Sequence, residues 1–265
     1  MKLTKTAMTI FMLSYGVAFA GTMGDVAAVP PKFYIGIEGG GSVSTDIHFQ
    51  PVITYPSSQE FSFTTPVNTD WNRDIGSAGF GGAFAGYEWN QNLALQFSYV
   101  YRSSYDWNML TVEDDANFAP DVYGQYNAGK ISVQTFLFDL LLKPSVNWGG
   151  FVPYVKGGIG IGLNKIDRLQ NINIPFVSPL SYNTIVSGKS STSFAWDAGV
   201  GADYYLTNQF NIGLGYRFVD AGKLRTGSNF IETVSGLAST ITPFKAKHVF
   251  LNEVSISAAY HFDFV

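Results

Sequence analysis

The sequence predicts an all-β protein: an eight-stranded antiparallel transmembrane up-and-down β-barrel with four long extracellular loops and short periplasmic turns. Three observations predict this fold class. Apolar residues recur with a period of two in eight segments, the connections between segments are alternately short and long, and charged residues fall on the stripe opposite the apolar one. A composition of 46% hydrophobic, 16% aromatic and only 14% charged residues is also unusual for a cytosolic enzyme.

Charge and cysteine content exclude several function classes. A formal net charge of -4 without basic runs argues against nucleic acid binding. The absence of cysteine excludes a disulfide scaffold and cysteine-ligated metal sites. Beyond the N-terminus the sequence has no run of about 18 apolar residues, so no helix is expected to span a bilayer.

Residues 1–20 have the features of a secretory signal peptide. Lys2 and Lys5 precede an apolar run that starts at Ala7, and Ala18-Phe19-Ala20 is a small-residue cleavage site. A short membrane anchor is the alternative, but the apolar run is too short for one. We expect cleavage near Ala20, a short periplasmic segment over 21–31 and a barrel domain over 32–265.

Each predicted strand has one apolar and one polar or small face. The predicted strands are 33–42, 78–89, 93–102, 131–143, 152–163, 193–205, 210–219 and 253–264. The alternation is clearest in 210–219, where Ile212 and Leu214 oppose Gly213. In 131–143 both faces are apolar, except that Asp139 and Lys143 share the face of Leu137.

The connections alternate between two lengths. Residues 90–92, 144–150 and 207–209 form short turns, whereas the long connections cover roughly 44–77, 103–130, 164–192 and 220–247. Short turns on one side and long loops on the other are typical of outer-membrane barrels. Strands of about nine to eleven residues suffice for a tilted crossing, and an even strand number leaves both termini in the periplasm.

The charged stripe predicts what fills the barrel. In lipid the sheet must close, because open edges would leave backbone groups unpaired, and the apolar stripe then faces outward. A secreted ligand-binding barrel would show the opposite pattern. An eight-stranded interior is just wide enough for side chains, so we expect its charges to pair; a gated ion path is the alternative. The predicted inward charges are Glu38, Arg102, Asp139, Lys156, Asp197, Asp203, Arg217 and Glu253.

Aromatic residues near the strand ends are expected to form two girdles at the membrane interfaces. On the turn side these are Tyr87, Trp89, Trp148, Phe151, Tyr204, Tyr205 and Phe264. On the loop side they are Tyr99, Tyr101, Tyr105, Trp107, Phe194, Trp196 and Phe218.

Three stretches carry a family resemblance: Phe33-Tyr34-Ile35-Gly36-Ile37-Glu38-Gly39-Gly40, Phe84-Ala85-Gly86-Tyr87-Glu88-Trp89 and Gly213-Leu214-Gly215-Tyr216-Arg217-Phe218-Val219-Asp220. They resemble the strands of small OmpA-type and opacity-type outer-membrane β-barrel proteins. The last strand, with Tyr260, Phe262 and Phe264, resembles the C-terminal signal read by the barrel-assembly machinery, although the chain ends in Val265 rather than Phe.

Few residues suggest chemistry. Of the three histidines, His48 belongs to the first long connection and His248 lies near the fourth. His261 shares a face with Asp263, and a hydrogen bond at the barrel end is expected there rather than a catalytic pair. Glu113, Asp114 and Asp115 suit a divalent cation or an omptin-like acidic site, and equally an exposed turn. We therefore expect no enzyme, no cofactor and no resident metal.

The loops are where the function is expected. Lys223, Arg225, Lys245 and Lys247 suit lipopolysaccharide phosphates. The expected function is that of an outer-membrane surface protein with a structural and adhesion or host-interaction role. A narrow porin-like channel is the first alternative, and an outer-membrane enzyme the second. Expected partners are outer-membrane lipid, lipopolysaccharide, the barrel-assembly machinery and a host or surface receptor. The protein is expected to be a monomer.

Overall fold

The computed structural model describes residues 32–45, 47, 49–50, 75–114, 122–144, 150–175, 183–233, 236, 238–240 and 243–262. The chain divides into two compact units, Met1–Pro30 and Pro31–Val265, and the first lies outside the described residues. The predicted signal peptide and the segment 21–31 therefore lie outside them as well. In the part of the chain that the structure describes, no helix is long and apolar enough to cross a membrane.

The secondary structure of the described residues consists of strands. In chain order they are β1 (Lys32–Ser44), β2 (Phe49–Gln50), β3 (Ser77–Asn90), β4 (Leu93–Asp114), β5 (Val122–Leu142), β6 (Phe151–Pro175), β7 (Asn183–Val186), β8 (Lys189–Tyr205), β9 (Phe210–Asp220), β10 (Leu224–Arg225), β11 (Asn229–Glu232), β12 (Ala238–Thr240), β13 (Lys245–Ala246) and β14 (Phe250–Phe262).

Eight of these strands form a closed antiparallel barrel. Their order around the wall is β6-β5-β4-β3-β1-β14-β9-β8, and β8 pairs back with β6. The first and last barrel strands pair over a long register, from Phe33 with Phe262 to Ser44 with Leu251. The predicted eight-stranded barrel is confirmed. Short turns join β3 to β4, β5 to β6 and β8 to β9; we call their side the turn end, and the opposite side the loop end.

Alternation along the strands separates an apolar outer wall from a polar interior. Ile37 is 67% exposed and Ile256 is 68% exposed, whereas Glu253, in the same sheet, is 1% exposed. Because this wall presents large apolar side chains outward, its stable surroundings are hydrocarbon rather than water. Closure leaves no unpaired strand edge in that layer.

Three strands extend far beyond their predicted ends. β4, β5 and β6 have 22, 21 and 25 residues, so much of the predicted loops 103–130 and 164–192 is strand. Arg102 pairs with Val133 and Tyr105 with Ile131, which leaves two β4 residues opposite one β5 residue. This bulge reverses which side chains of β4 face inward and which face outward. A prediction based on a strict period of two therefore ends the strand at Arg102. A second bulge interrupts β6, where Ile166 and Leu169 pair with Ile131 and Gly129.

The bulge in β4 also corrects part of the predicted outer girdle. Tyr105 and Trp107 are 0% and 1% exposed, because the inverted parity turns them into the barrel. At the turn end, the Tyr205 ring lies 5.5 Å from the His261 ring, on the inner side. Phe194 and Tyr101 do lie on the outer wall. Trp148 and Phe264 lie outside the described residues.

Candidate functional site

The lumen contains a chain of four charged side chains that links opposite sides of the barrel. Arg102 donates from Nε to Glu253 Oε1 at 2.5 Å and from Nη2 to Oε2 at 3.1 Å. Arg217 donates from Nε to the same Glu253 Oε2 at 2.5 Å and from Nη1 to Glu38 Oε1 at 2.8 Å. Glu253 is therefore shared by two guanidinium groups, in a setting where an unpaired charge would be costly.

A second cluster places two carboxylates around one ammonium group. Lys156 Nζ lies 3.4 Å from Asp139 Oδ2 and 3.2 Å from Asp197 Oδ2. The Ser98 hydroxyl also donates to Asp139 Oδ2, at 2.9 Å. Gly158 passes beneath these acids so closely that a Cβ there would overlap Asp139 Oδ1. The missing side chain is what makes room for the cluster.

A third cluster closes the turn end. Lys143 Nζ lies 2.7 Å from Glu88 Oε1 and 3.6 Å from Asp203 Oδ2. His261 Nδ1 lies 3.4 Å from Glu88 Oε2, and its ring stacks on Tyr34 at 5.2 Å. The predicted partner of His261, Asp263, lies outside the described residues.

The structure thus brings all eight predicted inward charges into contact with other charges of the lumen. The sequence prediction missed Glu88 and Lys143 as members of this set. Lys143 lies four residues after Asp139 and so shares its inward face. This spacing could have predicted that Lys143 lies inside the barrel. Glu88 is 55 positions from Lys143, and a contact over that separation leaves no local pattern.

Little empty space remains between these clusters. One cavity of about 40 Å³ is lined by residues of the second and third clusters, including Lys143, Lys156 and Asp203. A water molecule needs roughly 10–15 Å³ measured in this way, so the cavity has room for only a few waters. At the level of these clusters, paired charged side chains occupy the described lumen.

An apolar core lies above the charged clusters, at the loop end. Barrel residues and loop residues contribute to it together. Its fully or nearly buried members are Ile47, Ile75, Tyr105, Trp107, Ile131, Val133, Ile166, Leu169, Val186, Val219, Ala221, Leu224, Phe244, Ala246, Val249 and Leu251. Burial of this many apolar side chains is a strong stabilising contribution. The core covers the mouth of the barrel.

A small sheet belongs to this cover. β10, β13 and β2 pair in the order β10-β13-β2. Leu224 and Ala246 face each other in this sheet and are buried in the apolar core. The four basic residues predicted for the fourth loop, Lys223, Arg225, Lys245 and Lys247, are exposed.

A larger sheet extends beyond the barrel at the loop end. β4 and β5 stay paired from Tyr105 with Ile131 to Asp114 with Val122. β6 pairs with β5 as far as Pro175 and, on its other edge from Leu169 to Ile172, with β7. β7 pairs with β11, and β11 pairs with β12. The long connections therefore contain strands and hairpins of their own.

The remaining candidate residues have ordinary partners or lie outside the description. His248 Nδ1 contacts Asp220 Oδ2 at 2.7 Å, and its ring stacks on Phe250. His48 and Asp115 lie outside the described residues, and only the backbone of Glu113 and Asp114 is described. No group of three or more acidic or histidine side chains in the described ranges could hold a metal ion.

Two residues of the predicted assembly signal lie on the outer wall. Tyr260 and Phe262 are 42% and 40% exposed, and their rings meet edge to face at 5.1 Å. The third residue, Phe264, lies outside the described residues.

Comparison with known proteins agrees with this architecture. The family model of the outer membrane protein beta-barrel domain matches residues 13–262. Outer membrane protein PagN of Salmonella typhimurium is 35% identical over 83 residues, which is 31% of this chain. The matched part spans 32% of PagN, about a third of that relative's length.

Several solved structures are similar. OprG of Pseudomonas aeruginosa has 13% identity and a TM-score of 0.46, over 91% of this chain and 100% of OprG. Neisserial surface protein A has 13% identity and a TM-score of 0.41, over 87% and 97% of the two chains. Ail, the attachment invasion locus protein of Yersinia pestis, has 11% identity and a TM-score of 0.41, over 88% and 100%.

The family match covers nearly the whole barrel, and the barrel has the apolar exterior and charged interior that an outer membrane requires. The turn end therefore faces the periplasm and the loop end faces the outside of the cell. The chain belongs to the family of outer membrane proteins built on the outer membrane protein beta-barrel domain.

Proposed function

We propose that this protein is an adhesion-type surface scaffold. A closed barrel anchors it in the outer membrane, and the sheet that extends from β4, β5 and β6 binds a host or surface receptor. The observation that carries this proposal is the continuous pairing of β4 and β5 beyond the bulge, from Tyr105 to Asp114. Ten residues of strand reach about 30 Å. Such a hairpin holds its contact residues in place, whereas an irregular loop would have to order them on binding.

The filled lumen supports this role over a narrow channel, which is the alternative. The three charged clusters pair across the interior, and the apolar core covers the mouth. An enzyme has less support still. His261, the histidine for which a catalytic pair was considered, is 2% exposed and stacked on Tyr34, so a substrate has little access to it.

The other partners follow from the location. Outer-membrane lipid surrounds the apolar wall, and lipopolysaccharide lies beside its outer rim. Tyr260 and Phe262 on the last strand suit recognition by the barrel-assembly machinery. Because the barrel closes on itself without a second chain, we propose that it acts as a monomer.

The test is to shorten the hairpin without disturbing the barrel. Residues 109–127 are replaced by Asn-Gly, a two-residue type I′ turn, which joins the paired residues Asn108 and Ala128. The protein is expressed in a bacterium that does not otherwise bind cultured epithelial cells, and adherence is counted. The heat-modifiable gel shift checks that the barrel remains closed.

We expect the intact chain to confer adherence and the shortened chain to lose it with an unchanged gel shift. A matched control replaces residues 52–73 of the first loop by a Gly-Ser linker of the same length. Equal adherence of the intact and shortened chains would overturn the assignment to this sheet. Steady conductance of the intact chain in planar bilayers would favour the channel instead.

A further inference from the structure

Two strands at the mouth of the barrel form a ribbon with opposite inner and outer faces. Leu224 of β10 pairs with Ala246 of β13, and both are buried in the apolar core. The next pair is Arg225 with Lys245, and both of these are exposed. Lys223 and Lys247 flank the pairs and are exposed too. The outer face of the ribbon, defined by Lys223, Arg225, Lys245 and Lys247, therefore carries four positive charges.

The backbone of this ribbon is fixed to the barrel. Lys223 N donates to Ser193 Oγ at 2.8 Å, and Lys223 O accepts from Asn164 Nδ2 at 2.9 Å. At the other end Thr226 N donates to Phe244 O at 3.0 Å, and Phe244 N donates to the Thr226 hydroxyl oxygen at 3.0 Å. The charged side chains can turn in solvent, but their attachment points cannot separate.

Like charges that stand opposite each other in a sheet repel, and this destabilises the pairing. None of the four basic side chains forms an ion pair with a carboxylate of the described residues. The nearby Asp220 carboxylate is already occupied, by His248 and by the backbone N–H of Gly222. Among the described residues, the charge of the ribbon is therefore uncompensated, and an external anion would relieve the repulsion.

The depth of the ribbon in the membrane indicates where the anion comes from. On the outer wall beside it, the last large apolar side chains are Phe194 and Leu163, which is half-buried and has the outward parity of Ile161. Asn164, which anchors Lys223, directly follows Leu163 on β6. The anchor of the ribbon is therefore at the upper edge of the apolar wall. The ribbon thus lies at the level of the outer-leaflet headgroups and opens toward the outside.

We propose that the outer face of the ribbon is a binding site for a saccharide that carries phosphate or sulfate groups. Phosphate and sulfate are anions that Arg and Lys bind through charge-assisted hydrogen bonds. The same chemistry has two sources at this level: the phosphorylated glycolipid of the outer leaflet, and an anionic polysaccharide outside the cell. This site is separate from the extended sheet, and its test is independent of that proposal.

The test uses two variants of the refolded chain that lose the same charge. The ribbon variant is Lys223→Gln, Arg225→Gln, Lys245→Gln and Lys247→Gln. The wall variant is Lys130→Gln, Lys165→Gln, Arg168→Gln and Lys189→Gln, which removes four exposed basic residues near the bulge of β6. Binding is measured with lipopolysaccharide in liposomes, with dextran sulfate and with neutral dextran, at several salt concentrations.

We expect the ribbon variant to lose affinity by about tenfold or more. A single exposed ion pair contributes little to binding, but four basic side chains contact the same ligand here. The wall variant should lose less than about threefold, and the salt dependence should weaken in the ribbon variant alone. Loss toward lipopolysaccharide only assigns the site to the outer leaflet. If the variant loses affinity for dextran sulfate alone, the ligand is an external polymer. A loss of affinity for both ligands supports the shared chemistry.

Equal losses in the two variants would overturn the proposal, because they would reflect overall charge rather than a site. Unchanged binding in the ribbon variant would overturn it too. The heat-modifiable gel shift checks that both variants are folded. If the fourfold ribbon variant does not refold, the double variant Arg225→Gln and Lys245→Gln tests the cross-strand pair itself. The double variant should lose affinity by about threefold or more, whereas Arg225→Lys, which keeps the charge, should lose none.

Discussion

Arg102 and Glu253 join their side chains across the lumen by two hydrogen bonds, 2.5 and 3.1 Å long, although two other strands separate β4 from β14 in the wall. Both residues are fully or almost fully buried. The pair therefore ties together parts of the barrel that share no backbone hydrogen bonds. Its strength depends on Arg217, which binds the same carboxylate.

Glu253→Gln should destabilise the barrel strongly. The change leaves the buried guanidinium groups of Arg102 and Arg217 without their shared charge, and breaking a buried pair costs about 3–5 kcal/mol. Glu38→Gln is the matched control, because Arg217 keeps Glu253 as a partner and Arg102 is untouched. Urea unfolding in lipid vesicles, followed by the gel shift, measures the difference. Equal stability of the two variants would contradict the central role of Glu253.

The cluster of Lys156, Asp139 and Asp197 should respond asymmetrically to mutation. Lys156→Met leaves two buried carboxylates without a cation and should lower the free energy of unfolding by about 3 kcal/mol or more. Asp197→Asn removes one of two acids that share a single ammonium group, so it should change stability by less than about 1 kcal/mol. Unfolding midpoints in urea compare the variants, and a larger loss in Asp197→Asn would refute this assignment of charges.

Two adjacent glycines of β6 offer a test of the packing below the acids. A Cβ on Gly158 would overlap Asp139 Oδ1, whereas the nearest atom to a Cβ on Gly157 is Asp197 O at 3.8 Å. Gly158→Ala should therefore lower the folded yield and cost about 1–3 kcal/mol through overpacking. Gly157→Ala should be neutral or slightly stabilising. The fraction of gel-shifted protein after refolding measures both, and equal yields would contradict the close packing.

Trp107→Ala should loosen the cover of the mouth. Trp107 is 1% exposed within the apolar core, and large-to-small changes at such positions cost about 3–5 kcal/mol. Tyr101→Ala, on the lipid-facing wall, is the control and should cost less. Planar-bilayer recordings should remain silent for Trp107→Ala, since the charged clusters beneath still fill the lumen. Steady current in that variant would mean that the cover alone closes the barrel.

The sequence is sufficient to predict the eight strands and their connections, because an outer wall in lipid imposes a strict period of two. It is not sufficient to predict the bulges. At the bulge of β4, Ser103 and Ser104 lie opposite the single residue Ser132. The sequence of these three serines gives no sign that the inward and outward faces change there. For this reason Tyr105 and Trp107 are predicted on the wrong face. The pairing of Glu88 with Lys143 is also invisible locally, because the two residues are 55 positions apart and lie at the ends of strands that flank β4 without pairing with each other.

The two bulges lie side by side, opposite Ser132 and Lys130 of β5. Below this line, the bilayer dictates which side chains face outward. Above it, β4 and β6 continue with inverted parity, while β5 runs through without a bulge. The outer segment can therefore change length or sequence by whole hairpins while the membrane segment keeps its pattern. This line is therefore a suitable insertion point for engineering. A foreign epitope grafted beyond Tyr105 and Ile131 would be held by a rigid two-stranded stem and would not interfere with folding of the barrel.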